Sequence, residues 1–244
     1  IFGLPFQEID DVIDTIEKTK SLQPDRLAFY SYAHVPWIKG NGQRGFNDED
    51  IPKDEIKREL YETGKELLYK NDYHEIGMDH FALTTDSLFE SFEIGKLHRN
   101  FMGYSSSKTQ LMIGLGVSSI SDSWYSFAQN VKTIEDYYQL LDSNTIPVFR
   151  GHVLTDEDLI IRRHILNLMC QFETSWANPK NYFDEIPEII SQLKEMEKDG
   201  LVHFIPNGIQ VTEEGKPFVR NICMAFDLLL KRKAPDTALF SMTV

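Results

Sequence analysis

The chain has 244 residues, 41% hydrophobic and 12% aromatic, which is enough to bury one large core or two modest ones and too apolar for a disordered chain. Its formal net charge of −13 argues against a nucleic-acid partner, because phosphate binding relies on clustered Lys and Arg; a small anionic ligand in a local basic pocket stays open. No stretch reaches the about 18 apolar residues of a membrane span and no signal peptide is visible, so a soluble, cytoplasmic chain without membrane insertion is expected.

The opening Ile1-Phe2-Gly3-Leu4-Pro5 has no Met and no polar lead-in. It reads as the tail of a buried strand, as if the chain were cut inside a larger domain. Val12, Ile13, Ile16 and Thr19 follow at helical spacing, with early acids and late lysines that suit the macrodipole. Arg26 to Ala33 alternate and are aromatic-rich, which predicts a strand. A long polar loop runs from His34 to Asp50, a length often associated with function. Pro52 opens a helix striped by Ile56, Leu60, Leu67 and Leu68, ending near Asn71. Tyr73 to Met78 is a short strand, Ser87 to Leu97 a helix, and Leu111 to Val117 a buried strand with close backbone approach at Gly114 and Gly116. This strand–helix alternation predicts parallel β/α units, hence an α/β fold class, over residues 1–150.

Composition shifts near Pro147 to Gly151. Thr155 followed by Asp156, Glu157 and Asp158 has the look of a helix N-terminus. Ile160, Ile161, His164, Ile165, Leu168 and Met169 continue that helix, and a second spans about Ile186 to Lys198. Pro206-Asn207-Gly208 between two β runs is a strong hairpin signal. A last helix covers about Lys216 to Leu230. Two helices, a hairpin and a helix predict a mainly helical, winged-helix-like domain over residues 151–244.

Three clusters carry unusual chemistry, at places where strands would end, and in β/α barrels sites lie at strand ends. In Ser31 to Trp37, the small Ala33 would let a flat ligand approach the backbone, while His34 reads first as a hydrogen-bonded structural histidine. In Gly77 to Ala82, Asp79 beside His80 could orient a proton donor or simply close a loop. In Leu97 to Tyr104, His98, Arg99, Asn100 and Tyr104 in one loop are costly to explain as packing, and Arg99 suits a carboxylate. His98, Arg99 and Tyr104 are therefore expected together at the open strand ends, facing a cavity as a substrate-binding group. Gly114-Leu115-Gly116 alone is a weak signal, and Ile120 at the strand mouth is most simply core. Cys170 and Cys223 sit in apolar runs, read as buried free thiols, and are too few for a cluster motif, so no metal ligand is assigned.

Together, IFGLPFQ, PDRLAFYSYAHVPW, EIGMDHFA, LHRNFMGY, IGLGVSSIS and FAQNVK, followed by RGHVLTDEDLIIRRHILNLMC, GLVHFIPNGIQVT and RNICMAFD, resemble the oxygen-independent coproporphyrinogen III oxidases over essentially the whole chain. The resemblance implies the later part of a partial β/α radical S-adenosylmethionine (SAM) barrel followed by a helical domain. It implies a four-iron four-sulfur cluster, two SAM molecules, an electron donor, and coproporphyrinogen III as substrate. Reductive SAM cleavage would start hydrogen abstraction from a propionate, and two oxidative decarboxylations would give protoporphyrinogen IX in heme synthesis. Carried over by motif, Ala33 would line the second SAM, Ile120 would lie beside the SAM at the cluster, and Phe101 would sit in the loop near the second SAM. Met102 departs from the family, where many members carry Gln facing the second SAM. The cluster cysteines would lie upstream of Ile1, so no catalytic residue is assigned within the chain and the chain alone is expected to be inactive. Two rivals are the related heme chaperones, against which the GMDHFA and HRNFMGY runs speak, and a non-enzymatic winged-helix interaction module.

Overall fold

The computed structural model describes residues 1–37 and 42–233; the part of the His34–Asp50 loop at 38–41 and the segment 234–244 lie outside the described residues. The described chain gathers into two compact units. The first holds Ile1–Ile94 with Lys216–Phe218 and the segment from Leu228; the second holds Gly95–Gly215 with Val219–Asp227.

In the first unit, α1 (Ile9–Leu22) starts at a capping box between Glu8 and Asp11 and buries Val12 and Ile16. Next come β1 (Arg26–Ala28), α2 (Asp54–Tyr69), β2 (Tyr73–Gly77), β3 (His80–Leu83) and α3 (Ser87–Glu93). The sheet has the order β1-β3-β2, with both pairings antiparallel. The expected parallel β/α pairing is limited here to an isolated bridge between Phe2 and Ser31. The reason is a turn the sequence disguises. Met78 and Asp79 both take left-handed φ, 40° and 64°, which closes a two-residue hairpin and folds β3 back on β2. No Asn-Gly or Asp-Gly announces it.

The expected strand Arg26–Ala33 is shorter, because after Ala28 the chain leaves the sheet. Phe29 turns into the core against Phe2 (ring centroids 4.9 Å) and stacks on Tyr61 (6.1 Å, planes 11° apart). The stripe of α2 is Leu60, Tyr61, Gly64 and Leu68 rather than one beginning at Ile56, which is exposed. Asp86 caps α3, accepting from Leu88 N at 2.6 Å.

The second unit contains a two-stranded hairpin, β4 (His98–Asn100) and β5 (Gly103–Ser105), where the sequence predicted a loop. A four-stranded antiparallel sheet follows, ordered β6 (Leu111–Met112), β7 (Ile120–Ser123), β8 (Ser126–Asn130) and β9 (Val148–Val153), with α4 (Ile134–Asp142) between the last two. The Leu111–Val117 run is not a buried strand. Only two residues pair, and Leu111, Ile113 and Leu115 are exposed. Its close approach is real at Gly114, where a Cβ would meet the Ile120 carbonyl oxygen at 2.8 Å. Residue 150, where composition shifts, lies inside β9.

Helix α5 (Asp156–Gln171) begins as expected at Thr155, whose hydroxyl accepts from Asp158 N while the Asp158 carboxylate accepts from Thr155 N. Strand β10 (Glu173–Ser175), α6 (Ile186–Lys198), β11 (Val202–Ile205), β12 (Gly208–Val211) and α7 (Val219–Met224) complete this unit. The β11–β12 hairpin turns at Asn207 as predicted, and β10 adds a third antiparallel strand in the order β10-β12-β11. The last predicted helix is divided, with Lys216–Phe218 a single tight turn, α7 after it, and α8 (Leu228–Lys233) in the first unit.

Candidate functional site

The β4–β5 hairpin presents Phe101 and Met102 at its tip, 54% and 83% exposed. The turn is fixed locally, since the Asn100 carboxamide oxygen accepts from Met102 N at 2.8 Å. Phe101 packs edge to face on Phe127 (ring centroids 5.1 Å), and Met102 points its side chain to solvent.

The pleat of β4 separates the residues that the sequence grouped. Arg99 pairs across the hairpin with Tyr104, its guanidinium 4.6 Å from the ring centroid. Tyr104 is buried and its hydroxyl donates to the Met169 carbonyl on α5 at 2.8 Å. On the same side, the Arg99 charge acts on the Cys170 and Cys223 thiols, although burial dominates and pushes both up to about 12. His98, one residue earlier, is turned the other way. Burial, with the Lys108 and Arg162 charges, holds it below the ordinary imidazole range. Tyr104 therefore packs, and His98 and Arg99 address opposite sides of the strand. Arg99 Nη1 and His98 Nε2 are buried with no hydrogen-bond partner among the described residues.

The Gly114-Leu115-Gly116 loop is held by a residue the sequence did not single out. The buried Asn130 carboxamide donates to the carbonyls of Gly114 (3.1 Å) and Gly116 (2.9 Å). Gly114 N donates to Ser121 Oγ at 3.0 Å, and Gly116 N to the Tyr137 hydroxyl at 3.1 Å. Ile120, half-buried at the start of β7, is thereby set against this loop. The other omission is Arg162. It stands on α5 beside the apolar Ile160 and Ile161, which was a usable signal, but its partner Asp122 is far away in sequence. Its Nη2 reaches both Asp122 carboxylate oxygens, at 2.9 and 3.2 Å.

In the first unit, Ala33 is half-buried and its carbonyl accepts from Gln43 Nε2 (2.8 Å), while Gln43 Oε1 accepts from Val35 N (2.7 Å). His34 Nε2 lies 3.1 Å from Asp48 Oδ1, and its ring packs on Tyr32 and Phe46. Asp79 and His80 occupy the β2–β3 turn and its exit. His80 Nδ1 donates to the Met78 carbonyl (2.8 Å) and the Asp79 carbonyl accepts from Phe29 N (2.7 Å), so both have turn-closing contacts.

Among the described residues no group of three or more His, Cys, Asp or Glu side chains could hold a metal ion, and no helix is long and apolar enough to cross a membrane. Cys170 and Cys223 are buried free thiols whose raised pKa keeps them protonated, the wrong state for ligating iron. Neither cysteine thus fits a cluster.

No family model matches the chain. It is 38% identical over 239 residues to the oxygen-independent coproporphyrinogen III oxidase of Escherichia coli strain K12, across 96% of this chain and 52% of that protein. It is 35% identical over 243 residues to the enzyme of the same name from Synechocystis, again across 96% of the chain and 52% of the relative. A solved structure of coproporphyrinogen III oxidase from Escherichia coli, described as a radical SAM enzyme, matches with a TM-score of 0.85 at 37% identity, covering 94% of this chain and 54% of that one. The chain spans about half the length of the curated relatives it matches.

Proposed function

We propose that this chain is the C-terminal portion of an oxygen-independent coproporphyrinogen III oxidase. The complete protein would decarboxylate two propionate side chains of coproporphyrinogen III, giving protoporphyrinogen IX for heme synthesis. The similarity to the Escherichia coli enzyme, over 96% of the chain in sequence and 94% in fold, carries this reading. In it, residues 1–150 belong to the second part of a β/α barrel and 151–244 to a helical domain with a hairpin wing.

When bound, SAM and a four-iron cluster supply the hydrogen-abstracting chemistry. The cluster would be held outside this chain, whose cysteines do not fit it. The chain's own contribution is positioning. Phe101 and Met102 offer an apolar tip to a second SAM, and Ile120 would stand beside the first. Arg99 Nη1, buried with no hydrogen-bond partner among the described residues, suits a carboxylate of cofactor or substrate, and His98 Nε2, likewise without one, stands on the other side of the strand as a second candidate. An external electron donor, a cytoplasmic location, and no nucleic-acid or membrane partner complete the proposal.

The test is anaerobic reconstitution of the full-length protein, with SAM, a reductant and coproporphyrinogen III, following released carbon dioxide and porphyrin product. SAM-dependent decarboxylation supports the reading. SAM cleavage without carbon dioxide release, together with heme binding, would move the protein to the heme chaperones.

A further inference from the structure

We infer that Arg162 is a positioning residue for Phe101, acting through Phe127. Its worth to function rests on the reading above that Phe101 contacts the second SAM.

Arg162 stands on the second turn of α5 and reaches the β7–β8 turn. Nη2 donates to both oxygens of Asp122, while Nη1 donates to the carbonyls of Ser123 (3.2 Å) and Trp124 (3.4 Å). Its Cζ lies 4.7 Å from the Trp124 ring centroid and 5.0 Å from that of Phe127. The ion pair is nearly closed to water, the two side chains being 13% and 7% exposed. Burying such a pair carries a large desolvation cost, so stability alone is a poor reason for having it. What this guanidinium does that an apolar residue cannot is fix a turn and two rings at once. Its planar, multi-donor geometry allows both, whereas an ammonium allows only the charge.

The next contact leads to the candidate site. Phe127 meets Phe101 edge to face, with centroids 5.1 Å apart and planes at 88°. Phe101 is more than half exposed, so Phe127 is an orienting contact for a ring with little other support. Loss of the guanidinium leaves Trp124 under Lys108 but releases Phe127, and Phe101 then loses the surface that sets its angle.

The experiment uses full-length, cluster-reconstituted protein. Second-site SAM affinity is measured by equilibrium dialysis for Arg162→Ala, Arg162→Lys, Phe127→Leu, Phe101→Ala and the double variant Arg162→Ala/Phe101→Ala, with thermal melts alongside. A parallel set carries 4-fluorophenylalanine at position 101, and its fluorine resonance is recorded without SAM. Arg162→Ala and Phe127→Leu are each expected to weaken SAM by about 3- to 10-fold, the range one aromatic pair commands. Lysine should not rescue, and the double variant should be no weaker than Phe101→Ala. Phe127→Leu leaves the ion pair intact and so gives the answer if Arg162→Ala does not fold. The inference is overturned if the fluorine resonance is unmoved by both substitutions, or if the Arg162 and Phe101 effects multiply. If the resonance moves but Phe101→Ala binds SAM normally, the relay stands and the assignment of Phe101 to the cofactor falls.

Discussion

The ring of Phe29 occupies the place where a side chain on Gly64 would go. A Cβ built on Gly64 would fall 2.5 Å from Phe29 Cε1 and closer still to Cζ. A mid-helix glycine ordinarily costs about 1 kcal/mol relative to alanine, yet here it lets α2 approach the aromatic core of Phe2, Phe29 and Tyr61. Phe29 has little room to yield, because it is packed against both other rings. Gly64→Ala should therefore destabilise the protein by about 1–3 kcal/mol, the usual cost of overpacking, despite the gain in helix propensity. Thermal or denaturant unfolding would show it; a more stable variant would mean that the ring moves aside freely.

How much of this was legible follows from the range of each interaction. The Thr155–Asp158 capping box and the Asn207 turn are local, and both stand where the sequence put them. The Met78–Asp79 turn is local too, but it lacks the glycine that normally marks left-handed φ, so β3 was hidden. Leu97 to Tyr104 looked like a loop because charged and polar residues obscure a three-residue alternation. The Arg162–Asp122 pair was out of reach, since its partners are 40 residues apart and only the folded chain brings them together. Within the candidate site, the motif-based residues Phe101 and Met102 lie on an exposed tip, whereas the grouping of His98 with Arg99 and Tyr104 ignored the pleat.

Acid should destabilise the protein through two buried histidines. His164 is closed off, with Nε2–H donating to the Asn181 carbonyl at 2.7 Å and Nδ1 accepting from the Thr174 hydroxyl at 2.8 Å. Burial, aided by the Arg163 charge, lowers its pKa below the ordinary 6.5 despite the Asn181 hydrogen bond, and His98 is lowered in the same direction. A base with a depressed folded-state pKa binds more protons when unfolded. Its contribution is thus complete above the unfolded pKa and lost as pH falls from there toward the folded one. Melting temperature should fall between about pH 7 and pH 5, and less so in His164→Gln, whose amide can still donate to Asn181. An equal slope in both proteins would exclude His164 as the source.

Met102→Gln should tighten the second SAM in the complete enzyme without altering its melting temperature. The side chain is 83% exposed, so the fold places no demand on it. A thioether offers at best a weak acceptor, whereas a carboxamide donates and accepts. The net gain from a hydrogen bond is about 0.5–3 kcal/mol, which spans a barely detectable change to more than a hundredfold. SAM titration of matched, cluster-loaded samples would measure it, and unchanged or weaker binding would remove Met102 from the site.

Residues 1–244 alone should take up no four-iron cluster and release no carbon dioxide from coproporphyrinogen III. The argument is one of protonation and burial. Iron–sulfur clusters are held by thiolates, and burial pushes Cys170 and Cys223 up to about 12 against the weak opposing influence of Arg99. Deprotonating either would place a charge inside the packing between α5 and α7, where the Cys223 thiol makes a long contact of 3.9 Å with the Ile165 carbonyl. Opening that packing to admit a cluster would cost the contacts that hold the two helices together. Anaerobic incubation with iron and sulfide, followed by absorbance in the sulfur-to-iron charge-transfer region and iron analysis, should give the spectrum of the untreated protein. The double variant Cys170→Ala/Cys223→Ala should behave identically, which separates adventitious iron from cysteine ligation. A stoichiometric cluster lost in that variant would show that these thiols are accessible ligands and that the packing around α5 opens far more readily than its burial implies.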